Sequence, residues 1–266
     1  MMQRAARAIL IVIFGLMLGA DAFAPYPYAR QFREETAAPP TRAHPLGTDS
    51  LGRDRLSRLL HGGRVSILLA PAATLLSVGI ALLIGLGAAL LGAWWGRVAR
   101  VAIDLFLSLP WLFLLLTARG LLPLNTSPGV SIAVTFALLG LLGWPGPARV
   151  LMAAAERQSQ SDYVLLARAS GSGVWRAAIR HIAPNLGPVA LAQFWTTAPA
   201  FLLAEANLAL LGLGISEPMP SWGNLLRELQ NLAALPRNPA MCVPLLLLVV
   251  TLGCCQLAQT ADEYSL

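Results

Sequence analysis

The sequence predicts an all-α integral membrane protein with about six transmembrane helices, and three observations carry that prediction. First, 56% of the 266 residues are hydrophobic and only 12% are charged. A soluble domain has about a quarter of its residues charged, because its surface must be wetted. So few charges cannot cover a globule, and lipid must solvate much of this chain. Second, six apolar runs approach the roughly 20 residues needed to cross a hydrocarbon core of about 30 Å. Third, these runs show no strand-like alternation, and a backbone in lipid satisfies its own hydrogen bonds as a helix.

The runs are Ala8–Ala24, Val65–Trp95, Val101–Leu122, Gly129–Ala148, Leu186–Gly212 and Ala240–Ala258. The first carries a second reading. Arg4 and Arg7 precede it and "ADAFA" follows, the arrangement of a cleavable signal peptide, whose removal would leave five spans. In the second run, "GIALLIGLGAALLGAWWG" offers small residues that let another helix approach closely. Pro71, Pro110, Pro188, Pro199 and Pro244 fall inside the runs and predict kinks. Asp104 and Arg119 stand near opposite ends of the third run, where long polar side chains snorkel toward headgroups. Basic residues nearly balance on the two sides, but the purely basic flank of the first helix favours both termini inside.

Several chemistries are excluded or disfavoured. All 19 basic residues are arginine, so there is no P-loop lysine and no lysine base. Any ATP used must bind another chain. The net charge of +6 is scattered between apolar runs rather than gathered in a nucleic-acid-binding arm. Cys242, Cys254 and Cys255 sit in the last run as small hydrophobes, and His44, His61 and His181 lack ligand spacing, so neither a metal nor a cofactor is expected. There is no H-E-x-x-H or G-x-S-x-G, and no span carries paired carboxylates. An enzyme is therefore not expected, and no catalytic residue is assigned.

One polar stretch interrupts the apolar pattern: "SDYVLLARASGSGVWRAAIRHIAPN", Ser161–Asn185. Ser159 or Ser161 is placed to cap a helix whose first turn holds Asp162. Gly171 and Gly173 stop that helix, "VWRAAIRHI" forms a second, and Pro184 closes it. The pair predicts a knob whose apolar surface is Val164, Leu165, Ala167 and Ala169. Either it is an amphipathic interfacial linker, or something covers it.

This stretch resembles the EAA-type loop of ABC importer permeases, within the dipeptide/oligopeptide/nickel permease family. The matching residues are Asp162, Tyr163, Val164, Ala167, Arg168, Ala169 and Gly171, then Arg180, His181, Ile182, Pro184 and Asn185. It departs from the family at Leu165, where the signature glutamate would stand, and at Leu166. "HPLGTDSLGRDRLSRLLHGGRVSILLA", from His44 to Ala70, is similar to a second family run through Gly47, Thr48, Asp49, Gly52, Arg53, Asp54, Ser57 and Arg58. "LAEANLALLGLG" with "PSWGNLL" is similar to a third.

The resemblance implies a type I importer permease in a bacterial-type inner membrane. Its expected partners are a second homologous permease, two ATP-binding subunits and an extracytoplasmic solute-binding protein. The expected solutes are peptides or similar small molecules, nickel complexes among them. The implied divisions are a first helix with an extracytoplasmic segment (1–63), a core (64–258) containing the cytoplasmic loop 149–185, and a short tail (259–266).

Spacing adds two expectations. Asp49–Arg53 and Asp54–Arg58 stand at i,i+4 and predict either a solvated, self-neutralising helix or a docking surface. Glu205, with Asn207 beside it, is an ionisable group inside a span, so it faces the bundle interior or the solute path. The alternative from another class is an ATP-independent secondary transporter or channel. Repeated halves and intramembrane charge relays would favour that alternative.

Overall fold

The computed structural model describes residues 2–123 and 126–259, except for the side chains of Arg168 and Leu232; most of the 259–266 tail lies outside this set. Among the described residues the chain is helical, with two isolated bridges, Gln31 to Arg53 and Thr48 to Asp54, and no named strand.

The first apolar run forms α1 (Met2–Leu18) and the single turn α2 (Ala20–Phe23), interrupted at Gly19. At 1.5 Å per residue, the 17 residues of α1 span about 25 Å, a turn short of a crossing helix. The long helix α3 (Arg55–Leu90, 36 residues) starts ten residues before its apolar run. Asp54 explains the early start: its Oδ2 accepts from the Ser57 N–H at 2.7 Å, filling an orphan donor of the first turn. Pro71 lies within α3, and the helix runs past it.

The third run is broken rather than kinked. It forms the second half of α4 (Gly92–Ser108), which begins within the end of the second run, and α5 (Trp111–Gly120), the two helices bent by 82°. The cause is Pro110. Its ring disfavours helical geometry in the residue before it, and Leu109 is extended at φ −89°, ψ 137°. α6 (Pro128–Leu142) and α7 (Pro145–Ser159) follow and together make one apolar element of 32 residues. Pro145 opens α7 at the first helical turn, where its missing N–H costs nothing.

After α8 (Asp162–Ala169) and α9 (Val174–Ala177), a π turn at Ala178–Ile182 leads into α10 (Ala183–Leu210). Pro184 therefore does not close the second helix of the loop. The Ala183 N–H bonds to Ala178 O five residues back, and this widened turn leaves room for a proline that has no N–H to give. α11 (Trp222–Arg227) is capped by Ser221, which accepts from the Asn224 N–H at 3.1 Å. α12 (Val243–Gln259) ends the described chain. Among the described residues, four helical elements are long and apolar enough to cross a membrane, and the bent α4–α5 pair makes a fifth. The sixth predicted span is the interrupted α1–α2.

The contacts divide into two compact units. In the first (residues 1–70, 119–136 and 199–266), α1 packs along α12 and α11 packs against the start of α12. Here Arg119 does not snorkel: it is buried, and its Nη2 donates to Ser131 Oγ at 3.2 Å. In the second (residues 71–118 and 137–198), α4 packs on α7 around Ile103, Leu151, Met152, Ala155, Ile182 and Leu186. The small-residue string works as expected in this unit. A Cβ on Gly85 would lie 3.1 Å from the Leu151 carbonyl, a tight contact, so glycine there eases the approach of α3 to α7.

Candidate functional site

Two clusters of the residues singled out by sequence take form, one in each unit. The first is the polar loop. α8 is rooted by Val164, which is fully buried in the core with Ile182, Ala178 and Leu186. Val164 is thus an anchor and not part of the knob's surface. The exposed apolar groups are Tyr163, Leu165, Leu166 (66% exposed), Val174, Trp175 (65% exposed) and Ile179. Ala169 is exposed too, and Ala167 is half-buried.

Gly171 ends α8 with φ +87°, a left-handed conformation that disfavours any side chain. Beyond it the Ser172 N–H reaches back to Ala167 O at 3.0 Å, the bond of a Schellman cap. At the other end of α8, the Ser159 and Ser161 hydroxyls donate back to Glu156 O and Gln158 O, at 2.7 and 2.6 Å. They secure the turn before α8 and are not spent as its caps.

A polar clasp then ties α8 to the root of α10. The Asn185 amide donates to Tyr163 Oη at 3.2 Å and to His181 O at 2.6 Å, and the Tyr163 hydroxyl donates to Gln158. The Tyr163 ring also meets the His181 ring edge-on, with centroids 6.2 Å apart. Asp162, Arg180 and Pro184 are exposed, and Ile182 is buried beneath. The Arg168 side chain falls outside the described set. Trp175 and Ile179 were missed as knob residues. Their signal was present, since an unpaired Trp and Ile in a short arginine-bearing helix leave apolar surface uncovered.

The second cluster is the His44–Arg58 run, and it is not an outer helix. Only Arg55 onward is helical; the preceding segment is a series of turns pinned by two left-handed glycines, Gly47 (φ +71°) and Gly52 (φ +74°). Side chains at those positions would overlap the Ala38 and Phe32 carbonyls. Thr48 Oγ1 accepts from the Ala38 N–H at 2.9 Å and donates to Glu35 O.

The charges here are buried, not solvated. Asp49 accepts from the Leu51 and Arg53 N–H groups and from Arg53 Nε at 2.6 Å, so the first expected pair forms. The second does not. Asp54 is occupied by His44 (2.9 Å) and by both donors of Ser57, while Arg58, 1% exposed, turns to Glu217 at 3.0 Å. Arg53 Nη1 meets the same glutamate at 2.5 Å. Burial opposes the charge on Arg53, but the Asp49 hydrogen bond and charge, then those of Glu217, outweigh it and raise its pKa. Glu217 was missed because it lies 164 residues from Arg53 in sequence. No local spacing rule reaches that far.

Glu205 is fully buried in the first unit, as the interior reading requires. Ser66 Oγ lies 3.4 Å from its Oε2, and Ser66 also accepts the Trp222 N–H at 3.2 Å. A Cβ on Gly223 would come within 2.8 Å of Glu205 Oε1, so glycine there makes room for the carboxyl. Asn207 is half-buried, and at two positions' spacing it points away from Glu205. The structure does not bring these two together. No group of three or more His, Cys, Asp or Glu among the described residues gathers as a metal site.

A chain of long apolar helices, with a short helical loop rooted in one unit, defines a multi-pass integral membrane protein. Residues 81–259, more than half the chain, match the profile of the binding-protein-dependent transport system inner membrane component family, and the chain belongs to that family. Among curated proteins, a putative peptide permease protein of Brucella suis is 33% identical over 200 residues, covering 75% of this chain and 64% of the relative. The dipeptide transport system permease protein DppC of Bacillus subtilis is 30% identical over 215 residues, 81% of this chain and 65% of its own. The di/tripeptide transport system permease protein DppC of Pseudomonas aeruginosa is 31% identical over 229 residues, 84% and 73% respectively. The chain thus spans just under two thirds of the length of the first of these relatives.

Proposed function

We propose that this chain is a permease subunit of an ATP-driven importer of peptides or similar small solutes, nickel complexes included, and that its 161–185 loop receives the force of ATP hydrolysis. The observation that carries this reading is the loop itself. Leu165, Leu166, Val174, Trp175 and Ile179 form an exposed apolar surface on a polar knob, while Val164 and Ile182 root the same knob in the helical core. Such a surface costs free energy in water unless a partner covers it, and the rigid root turns force on the partner into movement of α10.

The chain has no lysine and hence no P-loop lysine, so ATP is hydrolysed on separate subunits. Two such subunits, a second homologous permease and an extracytoplasmic binding protein complete the assembly. Both termini face the cytoplasm. Residues 1–63 supply a first membrane helix and an extracytoplasmic segment, residues 64–258 the core permease domain, and residues 259–266 a short tail. ATP shifts the core between outward- and inward-open states because those states bind the ATPases differently.

The Asp49–Arg53–Glu217–Arg58 network, buried except at Glu217, holds the outer segment rigid where the binding protein docks. The absent EAA glutamate, replaced by Leu165, makes the contact with the ATPase mainly apolar. The test is peptide uptake by cells that depend on this chain. Ala167→Arg and Gly171→Trp should insert at normal levels and lose uptake. Wild-type uptake by either would contradict docking through the loop.

A further inference from the structure

A second feature of the unit formed by residues 71–118 and 137–198 lies outside the loop. On the packed pair α4 and α7, two ion pairs cross the helix boundary in opposite senses: Arg100 to Glu156 (2.6 Å) and Arg149 to Asp104. Between them is an open cavity of about 200 Å³, lined by these four side chains with Ile103, Met152 and Ala153. A cavity of about 150 Å³ already takes a benzene-sized molecule. Ile103 and Met152 belong to the unit's core, so the cavity has a rigid apolar floor under a rim of both charges.

These pairs are poorly suited to be structural clamps. Each is joined through one nitrogen and one oxygen, and their side chains are 37–68% exposed. Solvent and salt leave little in such contacts. A guanidinium bound at one nitrogen keeps its other N–H groups free to fork onto a carboxylate, and the second carboxylate oxygen can accept from an ammonium. The charges are therefore exchangeable: a zwitterion can take them over with no net loss of ion pairs.

Spacing narrows the ligand. Arg100 and Asp104 stand one turn apart on α4, about 6 Å along its axis. An extended dipeptide separates its ammonium from its carboxylate by about 7 Å, two residues at roughly 3.5 Å each.

We propose that the α4–α7 cavity is a solute subsite for the termini of a short peptide. Its carboxylate sits on Arg100 at one end of the cavity, in place of Glu156, and its ammonium sits on Asp104 one turn along α4, in place of Arg149. The side chains of the peptide meet Ile103 and Met152, or solvent, which makes the subsite tolerant of sequence and selective for free termini. Glu156 lies one turn from the end of α7 and five residues before Ser161, so movement of the loop alters the cavity directly. This inference rests on the permease reading and adds to it the class of group recognised.

The experiment pairs two measurements on the full chain. In cells, uptake of dialanine is compared with and without the chain, and for Arg100→Gln, Asp104→Asn and the double neutral variant Asp104→Asn/Arg149→Gln. With the detergent-solubilised chain, equilibrium binding of radiolabelled dialanine is competed by dialanine, N-acetyl-dialanine and dialanine amide. The subsite predicts that each blocked peptide competes at least tenfold more weakly. It also predicts that the three variants lose at least tenfold in binding and raise the KM for uptake while inserting normally.

Restored binding in the double variant, which leaves no charge unpaired, would show a structural clamp and overturn the subsite. Equal competition by the blocked peptides would overturn it as well. Uptake that needs the chain but ignores all three substitutions would defeat the subsite alone. Uptake unchanged when the chain is removed would defeat the permease reading, and the subsite with it.

Discussion

At the residue scale, burial decides which charges matter. Asp49 and Arg58 are 1% exposed; Asp49 pairs with Arg53 four residues on, whereas Arg58 pairs with Glu217 on a segment distant in sequence. Removing one member of a buried ion pair leaves the other uncompensated, at a cost of about 3–5 kcal/mol. Asp49→Asn keeps the shape but strips from Arg53 its buried counter-charge, leaving only the half-exposed Glu217. It should therefore lower the melting temperature of the detergent-purified chain by several degrees, whereas Arg42→Gln, on an exposed turn, should leave it unchanged. Equal melting of the two variants would show that the network carries no stability. Sequence singled out Asp49, Arg53 and Arg58 but not Glu217, and of the network's contacts it gave only Asp49–Arg53. Asp49–Arg53 was legible because its partners are four apart. Arg58–Glu217 was not, because only the folded chain brings residues 159 apart into contact.

At the element scale, hydropathy marked six helical regions, but only four of them and the bent α4–α5 pair reach spanning length among the described residues, and it missed where the helices end. A helix ends where a cap or a proline dictates, and apolar composition does not report that. Asp54 extends α3 outward, and Pro110 splits the third run by forcing Leu109 into extended geometry. The loop was legible in its glycines and its helical halves. What stayed hidden was its connection to α10, because the π turn that admits Pro184 has no sequence signature. Gly171 gives the element-scale prediction. Open space surrounds the position, so a Cβ meets no clash and only the φ of +87° is at stake. A left-handed L-residue costs about 1–2 kcal/mol. Gly171→Ala should therefore loosen the cap of α8, and amide exchange over residues 163–170 should accelerate about five- to thirtyfold, while α7 amides keep their rates. Unchanged exchange in α8 would mean that the Schellman bond from Ser172 does not hold the helix.

At the scale of the whole molecule, composition fixed the class and the long-range folding of the chain did not alter it. The near-tie of basic residues on the two sides left orientation to the first helix, and a cysteine at position 161 tests it. In intact cells that cysteine should resist a membrane-impermeant thiol reagent and react once the cells are opened. Ready labelling from outside would reverse the orientation and remove the loop from any cytoplasmic ATPase.

In the function proposed above, the knob made by α8 and α9 is the surface through which ATP hydrolysis drives transport. The most direct measurement is mild-detergent purification of the tagged chain from its own cells, with identification of what accompanies it. The expected result is a Walker-type ATPase retained by the wild-type chain and lost with Trp175→Asp, an exposed change that spares the Val164 and Ile182 root. A wild-type chain that emerges alone and moves peptide into liposomes without ATP would contradict it.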